Sequence, residues 1–261
     1  MSTSAGPELS LHPSESVNGS TDPPVEGPAD LLTFVLHRRP YPAAEIISML
    51  MHNGLSVTDR PLDEQSLELV RQLDPRVIIL ALESGDDRDV DAVQSLRQVS
   101  DAYIILYVRR PDLSGIARAI EAGADAFLRE SDGIQLLEAY IKSFVRRDTG
   151  AVPHRLPSNV VGDLTLRPAQ RLVECHGRSV RLTALEFAIL SALASAPGQV
   201  MSPVAILQAA GIPDPRPSTV SQLKVHVLRI RRKLREICPD HEYIVNLRGA
   251  GYMLDRVSSS N

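Results

Sequence analysis

The sequence predicts two folded units, an α/β unit with a five-stranded parallel sheet followed by a smaller α+β unit. Between residues 31 and 147, five short apolar segments alternate with five helical ones, which implies a doubly wound sheet with right-handed crossovers. Further along, the pattern changes to short strands with turns, three helices and a strand–glycine turn–strand. The charge also differs between the two parts of the chain. Residues 160–261 contain 13 Lys and Arg and 8 Asp and Glu, whereas residues 1–159 contain 15 Lys and Arg and 24 Asp and Glu.

The first unit is assigned element by element from apolar periodicity. The run "RVIILAL" at 76–82 is uninterrupted, as expected of a central parallel strand that is buried on both faces. The predicted strands are 31–36, 55–58, 76–82, 102–108 and 124–129, and the intervening helices are 43–53, 63–73, 88–100, 112–123 and 133–147.

Composition sets the expected boundaries. Residues 1–29 are rich in Ser, Pro and Gly and contain no Lys or Arg, so they are expected to form a disordered tail. Residues 148–159 mix charge, Gly and Pro and are expected to be a linker. The predicted units are therefore 30–147 and 160–256, with a short tail at 257–261.

Several classes of protein are disfavoured. No apolar run approaches the ~20 residues of a membrane span, and no signal-peptide pattern opens the chain. The two cysteines, Cys175 and Cys238, lack metal-ligand spacing, so neither a disulfide nor a zinc framework is predicted, and a reducing cytoplasm is the expected setting. A nucleotide-dependent enzyme is disfavoured because "HRRPYP" stands where a glycine-rich phosphate loop would follow the first strand, so no cofactor is expected.

The third helix of the second unit, from residue 218 to about 237, carries the strongest functional signal. Six cationic groups fall within its residues 224–235, and on a helical wheel most of them lie away from the apolar stripe. Such a face fits insertion into a DNA groove, with a solvated basic surface as the alternative. The core stripe is Val220, Leu223, Val227, Ile230, Leu234 and Ile237. The expected solvent side is Ser221, Gln222, Val225, Leu228, Arg229 and Arg232, flanked by Lys224, Arg231, Lys233 and Arg235.

The segment "YIVNLRGAGY" predicts a hairpin that carries Arg248 beside Gly249 and Gly251. A cation on such a turn can reach phosphates or the minor groove. Helix and hairpin together predict a winged helix-turn-helix. Two helix starts lie upstream, the capping box that begins at Thr183 and the Ser202–Pro203 pair, and both are structural features.

Three motifs in order, "LTALEFAILSALASAPGQVMS", "VHVLRIRRKLRE" and "YIVNLRGAGYML", resemble the DNA-binding domain of OmpR/PhoB-family response regulators over about 160–256. The resemblance implies that 218–237 is a recognition helix, that 243–254 is a wing, and that the subunits bind tandem or paired half-sites in promoter DNA. The chain departs from the family in having no Trp and in a loop with Pro213, Pro215 and Pro217, which leaves contact with RNA polymerase open.

The first unit resembles a receiver domain in order, length and position, and it retains "GADAFL". A working receiver holds Mg²⁺ through hard oxygen ligands and surrounds the phosphoryl group with cations. Here the metal-binding carboxylates are replaced by His37 and Arg38, the phosphoacceptor by Ala81, the Thr or Ser by Tyr107 and the Lys by Glu130. No metal, phosphoacceptor or catalytic residue is therefore expected, and regulation should not depend on aspartyl phosphorylation.

Three readings of the crevice beside the third strand stay open. A salt bridge from Arg38 to Glu83 or Asp86 could lock the unit in one state. The cations His37, Arg38, Arg109 and Arg110 could instead bind an anionic metabolite. Phosphorylation at Glu83 or Asp86 is the third and weakest reading, because nothing nearby would assist the transfer.

The resemblance also implies homodimerisation through the surface formed by about 111–147. Apolar contacts are expected from Ile116, Ala119 and Leu137. The charged candidates on this face are Arg118, Glu121, Asp125, Glu138, Lys142 and Arg146.

Overall fold

The computed structural model describes residues 32–38, 43–148, 160–212 and 214–256. The predicted tails at 1–29 and 257–261 lie outside these ranges, as does all but the first residue of the predicted linker. Within the described part of the chain, no helix is both long and apolar enough to span a membrane.

The receiver-like unit, residues 32–148, is built on the predicted five-stranded parallel sheet, and its strand order is β2-β1-β3-β4-β5. Every residue of β3 and β4 is buried, which is why their sequences are apolar without interruption. The strands are β1 Leu32–His37, β2 Ser56–Pro61, β3 Val77–Leu82, β4 Tyr103–Val108 and β5 Ala126–Arg129. The helices are α1 Ala44–His52, α2 Glu64–Leu73, α3 Asp87–Val99, α4 Leu113–Ala122 and α5 Ile134–Asp148.

The acidic stretch after β3 begins a helix. Asp86 is the N-cap of α3, and it forms a reciprocal capping box with Asp89. Asp89 also accepts a hydrogen bond from the backbone of Gly85, at 3.1 Å. The acids therefore have a structural role at the rim of the sheet, in agreement with the favourable placement of negative charge at a helix N-terminus.

The winged-helix unit, residues 160–256, combines a four-stranded antiparallel sheet, three helices and a hairpin. Side chains cap two of its helices at the predicted residues, Thr183 for α6 and Ser202 for α7. The strands are β6 Val160–Val161, β7 Leu164–Arg167, β8 Leu172–Cys175, β9 Arg178–Arg181, β10 Ile244–Leu247 and β11 Gly251–Leu254. The helices are α6 Ala184–Ala194, α7 Pro203–Ala209 and α8 Pro217–Ile237.

The two units share one continuous apolar cluster, in which residues of the receiver-like sheet and of α6 belong together. Tyr103 of β4 stacks on Phe144 of α5 with ring centroids 3.9 Å apart.

The apolar residues expected at a dimer surface are the first of two corrections. Ile116, Ala119 and Leu137 are at most 3 % exposed, so they belong to the core and not to a dimer surface.

The second correction concerns the cysteines, which are joined as a disulfide between β8 and the end of α8. Their separation of 63 residues gives no local sequence signal, and so the expectation that the chain has no disulfide was wrong.

Candidate nucleic-acid interface and receiver crevice

Helix α8 is seated on the winged-helix core through its predicted stripe. Leu223, Val227, Ile230 and Leu234 are each at most 2 % exposed. This packing fixes the rotation of the helix and therefore decides which side chains point away from the core.

One side of α8 faces solvent. This solvent side consists of polar and cationic residues around Leu228, which is 60 % exposed. Its other members are Ser221, Lys224, Arg232 and Arg235, all exposed.

The adjacent side of α8 packs against the receiver-like unit, mainly against α4. Val225 packs on the apolar cluster of the receiver-like unit, and His226 is 1 % exposed. The prediction that Gln222, Val225 and Arg229 lie on the solvent side is therefore wrong, because a second domain covers them. We call Gln222, Val225, His226 and Arg229 the receiver-facing side of α8.

Charged groups from both units meet at this contact. Asp125, which is 1 % exposed, pairs with Arg97 of α3 and accepts a hydrogen bond from the backbone of Ile104 at 2.9 Å. Arg229 lies close enough to Asp125 and Glu186 for both carboxylates to favour its charge, yet burial dominates and lowers its pKa. Neither terminal nitrogen of Arg229 has a hydrogen-bond partner among the described residues. We call Arg97, Asp125, His226 and Arg229 the interdomain cluster.

The pKa of His226 is lowered to about 3, first by burial and then by the positive charges of Arg229 and Arg97. A hydrogen bond to the backbone of Asp125 acts in the opposite direction and is outweighed. His226 is therefore neutral near pH 7. Sequence reasoning missed this residue, although a histidine between Val225 and Val227 on a helix with a core stripe could have drawn notice.

Two of the predicted DNA-binding cations hold the winged-helix unit together. The Nζ of Lys233 lies 2.7 Å from Oε2 of Glu186, which is 1 % exposed. Arg231 donates to the carbonyl oxygen of Ile244 at 2.6 Å and pairs with Glu242 at 2.9 Å, so it joins α8 to the first strand of the wing. Neither cation is as available to a ligand as Lys224 or Arg232.

The wing presents Arg248 and Gly249 at its exposed turn. Gly251 starts β11 with φ of +142°, and a Cβ built there would lie 2.0 Å from the carbonyl oxygen of Met201. Only glycine permits this approach, which lets Tyr252 and Met201 exchange backbone hydrogen bonds of 3.0 and 2.8 Å. The wing is thus attached to the segment that precedes α7.

Further contacts join the two units. Tyr103 donates its hydroxyl to the carbonyl oxygen of Ala184 at 3.2 Å. Asp101 accepts hydrogen bonds at its backbone from Ala184 and Arg171, and its carboxylate pairs with Arg181 at 2.8 Å. The α7–α8 connection is held as well, through the hydrogen bond from Ser143 to Gly211 and the ion pair of Arg216 with Asp132.

At the receiver crevice, Ala81 is aligned with His37 of β1 on one side and with Tyr107 of β4 on the other. Ala81 is fully buried, and burial raises the pKa of the Tyr107 hydroxyl with the help of nearby acids such as Glu130. His37 points its Nε2 to Asp59, at 3.2 Å. The described residues therefore bring no carboxylate pair and no acceptor to this position.

Ion pairs cross the crevice. Arg38 lies 3.5 Å from the buried carboxylate of Asp89 and donates to the backbone of Arg88 at 2.6 Å, so the expected partners Glu83 and Asp86 were wrong. Arg109 bridges Glu130, at 2.8 Å, and Glu83, at 3.3 Å. Arg110 adds a longer contact to Glu83, at 3.8 Å. The acid at the usual lysine position thus neutralises a cation that follows β4.

The surface expected to form a dimer is partly covered by the winged-helix unit. Arg118 pairs with Asp87 at 2.6 Å, and Lys142 pairs with Glu138 within α5. Asp125 belongs to the interdomain cluster, whereas Glu121 is exposed. The side chain of Arg146 lies outside the described residues.

Comparison with known proteins gives the same two-part picture. Residues 177–254 match the family model described as "Transcriptional regulatory protein, C terminal". The chain is 29 % identical over 219 residues to the probable transcriptional regulator ycf27 of Porphyridium aerugineum, which covers 82 % of this chain and 90 % of the relative. It is 28 % identical over 189 residues to the DNA-binding response regulator MtrA of Mycolicibacterium smegmatis, covering 72 % and 81 % of the two chains. Among solved structures, a mutant form of RitR shares the fold with a TM-score of 0.66 at 16 % identity, covering 87 % of this chain and 99 % of that one.

A receiver-like sheet followed by a winged-helix unit is the architecture of a response regulator. In the order of its two units and in the match over residues 177–254, the chain is similar to OmpR/PhoB-type response regulators, and it differs from a working receiver in that Ala81 occupies the phosphoacceptor position.

Proposed function

We propose that the chain is a sequence-specific DNA-binding regulator of transcription that acts without aspartyl phosphorylation. The observation that supports this best is the solvent side of α8, where Lys224, Arg232 and Arg235 are exposed in the same unit as Arg248 of the wing. Cations on a docked helix and on a hairpin turn suit the major groove and the adjacent backbone of double-stranded promoter DNA.

Independence from phosphorylation is supported by the replacement of every assisting group. Ala81 has no oxygen to accept a phosphoryl group, and His37 and Arg38 cannot hold Mg²⁺. Glu83 is engaged by Arg109 and Arg110, and Asp86 caps α3. A phosphoryl group on either acid would disrupt contacts that position the rim of the sheet.

The receiver-like unit restrains α8 in this proposal. Gln222 and Arg229 can reach DNA only after α8 leaves α4, because the contact buries part of both side chains. Arg229 is suited to that change, since a buried guanidinium with unpartnered nitrogens gains by binding phosphate or a base edge. The α7–α8 connection would be released at the same time, and only then could it contact RNA polymerase.

The receiver-like unit would also serve dimerisation once the units separate. The surface at about 111–147, with Glu121 already exposed and Asp125 newly released, would then be free for a second copy of the chain. A homodimer on paired half-sites follows. The same surface would thus bind either the chain's own winged-helix unit or a partner subunit.

The crevice favours a locked unit over a sensor of anions. Its cations Arg38 and Arg109 already have carboxylate partners among the described residues. A small anion would have to displace Asp89 or Glu130, which costs the free energy of those pairs.

The experiment is selection of bound fragments from sheared genomic DNA by the full chain, followed by titration of the enriched sequence with and without acetyl phosphate and Mg²⁺. We expect one enriched motif with paired half-sites, and the same affinity with and without the phosphoryl donor. Glu83→Gln is the matched control and should leave that affinity unaltered. Absence of any enriched sequence would remove the DNA-binding proposal, and a stable phosphoryl group on Glu83 or Asp86 would remove phosphorylation independence.

A further inference from the structure

We propose that Cys175 and Cys238 form a reversible disulfide site that sets the DNA affinity of the winged-helix unit. The second half of this inference rests on the proposed function, whereas the first is a property of the chain itself. Cys175 ends β8 and Cys238 follows the last residue of α8. Their Cα atoms are 6.0 Å apart, within the range that a disulfide requires.

The site lies where three parts of the winged-helix unit meet. Both cysteines are at most 3 % exposed, and the hydroxyl of Tyr243 lies 3.2 Å from Sγ of Cys238 and 3.8 Å from Sγ of Cys175. Tyr243 immediately precedes β10, the first strand of the wing. The sulfurs therefore connect the sheet, the end of the recognition helix and the base of the wing.

The hydroxyl of Tyr243 keeps its proton near neutral pH. Burial, together with Asp163, raises its pKa to about 12. Its one proton can be donated to the carboxylate of Asp163 or to a sulfur, both of which lie beside the hydroxyl. A thiolate would attract this donor more strongly than a neutral disulfide, which makes the reduced pair chemically accessible.

An imidazole stands at the solvent edge of the site. His176 is exposed, and one of its ring nitrogens lies within 4.8 Å of both sulfurs. Its Nε2 is 3.4 Å from the carboxylate of Asp163. A separation of up to 4.8 Å exceeds direct hydrogen-bond distance, so the Cys175 proton would reach His176 through one intervening water, which leaves the nucleophilic thiolate.

Formation of the bond by a peroxide balances in two steps. The Cys175 thiolate attacks hydrogen peroxide and becomes a sulfenic acid, while the peroxide leaves as hydroxide and takes a proton to become water. The Cys238 thiolate then attacks the sulfenic sulfur, the disulfide forms, and the sulfenic oxygen leaves as a second water. A dithiol reverses the change by exchange and becomes a cyclic disulfide itself, so that two electrons and two protons return to the cysteines.

The bond matters for α8 because it anchors the end of that helix to β8. Arg231 joins the same end of α8 to the wing through Ile244. The oxidised site holds helix and wing in one arrangement, so less ordering is needed when DNA binds.

The test uses the full chain, equilibrated in dithiothreitol buffers of graded redox poise. Free thiols are counted by alkylation after denaturation, and since the chain has only two cysteines the count is unambiguous. We expect a reversible change between no free thiol and two, and a DNA affinity about tenfold weaker in the reduced form, comparable to ordering one or two further side chains on binding. Cys175→Ser is the matched control, and Cys238→Ala is a second variant in case the first folds poorly. At every redox potential, both variants should bind DNA with the affinity of the reduced wild-type chain.

Three outcomes would overturn the inference. The first is two free thiols under the most oxidising condition. The second is equal DNA affinity of the oxidised and reduced wild-type chains. The third is uptake of one zinc ion by the reduced chain, lost in Cys175→Ser, because a metal centre made of Cys175, His176 and Cys238 would then replace the disulfide. Failure to bind any DNA would remove the proposed function, while the thiol count would still report on the bond.

Discussion

The phenolic hydroxyl of Tyr103 donates to the carbonyl oxygen of Ala184 at 3.2 Å, so the fourth strand of the receiver-like sheet is bonded to the first turn of α6. The same ring stacks on Phe144. One side chain therefore belongs to the receiver-like core and also holds the winged-helix unit. This relationship, together with the interdomain cluster, is what the first two predictions test.

Tyr103→Phe should weaken the contact between the units without disturbing the receiver-like core. It keeps the stacking ring and removes one buried hydrogen bond, which contributes about 1 kcal/mol. We expect the variant to bind the selected DNA about fivefold more tightly. A loss of about 1 kcal/mol from the contact shifts the equilibrium by this factor towards the separated winged-helix unit, which is the form that binds DNA. Titration of DNA by fluorescence anisotropy measures it, and Tyr107→Phe, in the same sheet but at the crevice, is the control. Unaltered affinity would show that this contact does not restrain α8.

Acidification should separate the units through His226. Its pKa is about 3 in the buried position, against an ordinary value near 6.5 once exposed. The contribution of neutral His226 to the contact is therefore complete above about pH 6.5 and is lost as the pH falls towards 3. At about pH 5.5, the equilibrium constant for separation of the units should be about tenfold larger than at neutral pH. Small-angle scattering at graded pH follows the opening. His226→Gln, which cannot titrate, should abolish the dependence, and a transition that persists in this variant belongs to other groups.

Arg232→Ala should weaken DNA binding by a purely ionic effect. Arg232 is exposed on the solvent side of α8, where it can reach a phosphate. We expect the slope of log affinity against log salt to shrink by about one unit, for all DNA sequences alike. Arg167→Ala removes an exposed cation of the same unit that pairs with Glu174, away from α8, and should leave the slope unaltered. Equal slopes for wild type and Arg232→Ala would place DNA on another surface.

Lys233→Ala should destabilise the winged-helix unit and leave the salt slope in place. The variant deprives the buried carboxylate of Glu186 of its cation, which typically costs about 2–3 kcal/mol for a pair that is not fully buried. The free energy of unfolding in urea measures this loss, and Lys224→Ala, which removes an exposed cation from the same helix, should cost less than about 0.5 kcal/mol. If the slope of log affinity against log salt changes strongly while stability changes little, Lys233 contacts DNA.

Arg38→Ala should destabilise the receiver-like unit by about 1–2 kcal/mol, since Arg38 is the cation nearest to a carboxylate whose pKa burial already raises. The loss should be visible as a lower melting temperature of the full chain. Arg88→Ala is the control, because only the backbone of Arg88 contacts Arg38. If both variants melt with the wild type, the crevice is not locked by this pair.

Much of the fold could be predicted from the sequence because its signals are local. The uninterrupted apolar run at 76–82 and the capping residues Thr183 and Ser202 each act through neighbours within a few residues. The replacement at Ala81 was equally visible, since it depends only on the alignment of one strand.

The burial of Arg229 and the partner of Cys175 could not be predicted in this way. A helical wheel separates the stripe that packs on its own domain from the rest, but it cannot show that a second domain covers Val225 and Arg229. The partner of Cys175 lies 63 residues away, and only the packing of α8 on β8 brings it close. The partner of Arg38 was partly predictable. The spacing of Asp86 and Asp89 indicates a capping box, and this box turns the side chain of Asp89 back towards the crevice.

The shared apolar cluster has a consequence for how the molecule can be divided. Because β4, α5 and α6 contribute to one core, neither unit has a complete surface of its own. Produced as two separate polypeptides, the halves should recognise each other and assemble into one particle, because each alone exposes the apolar face that the other covers.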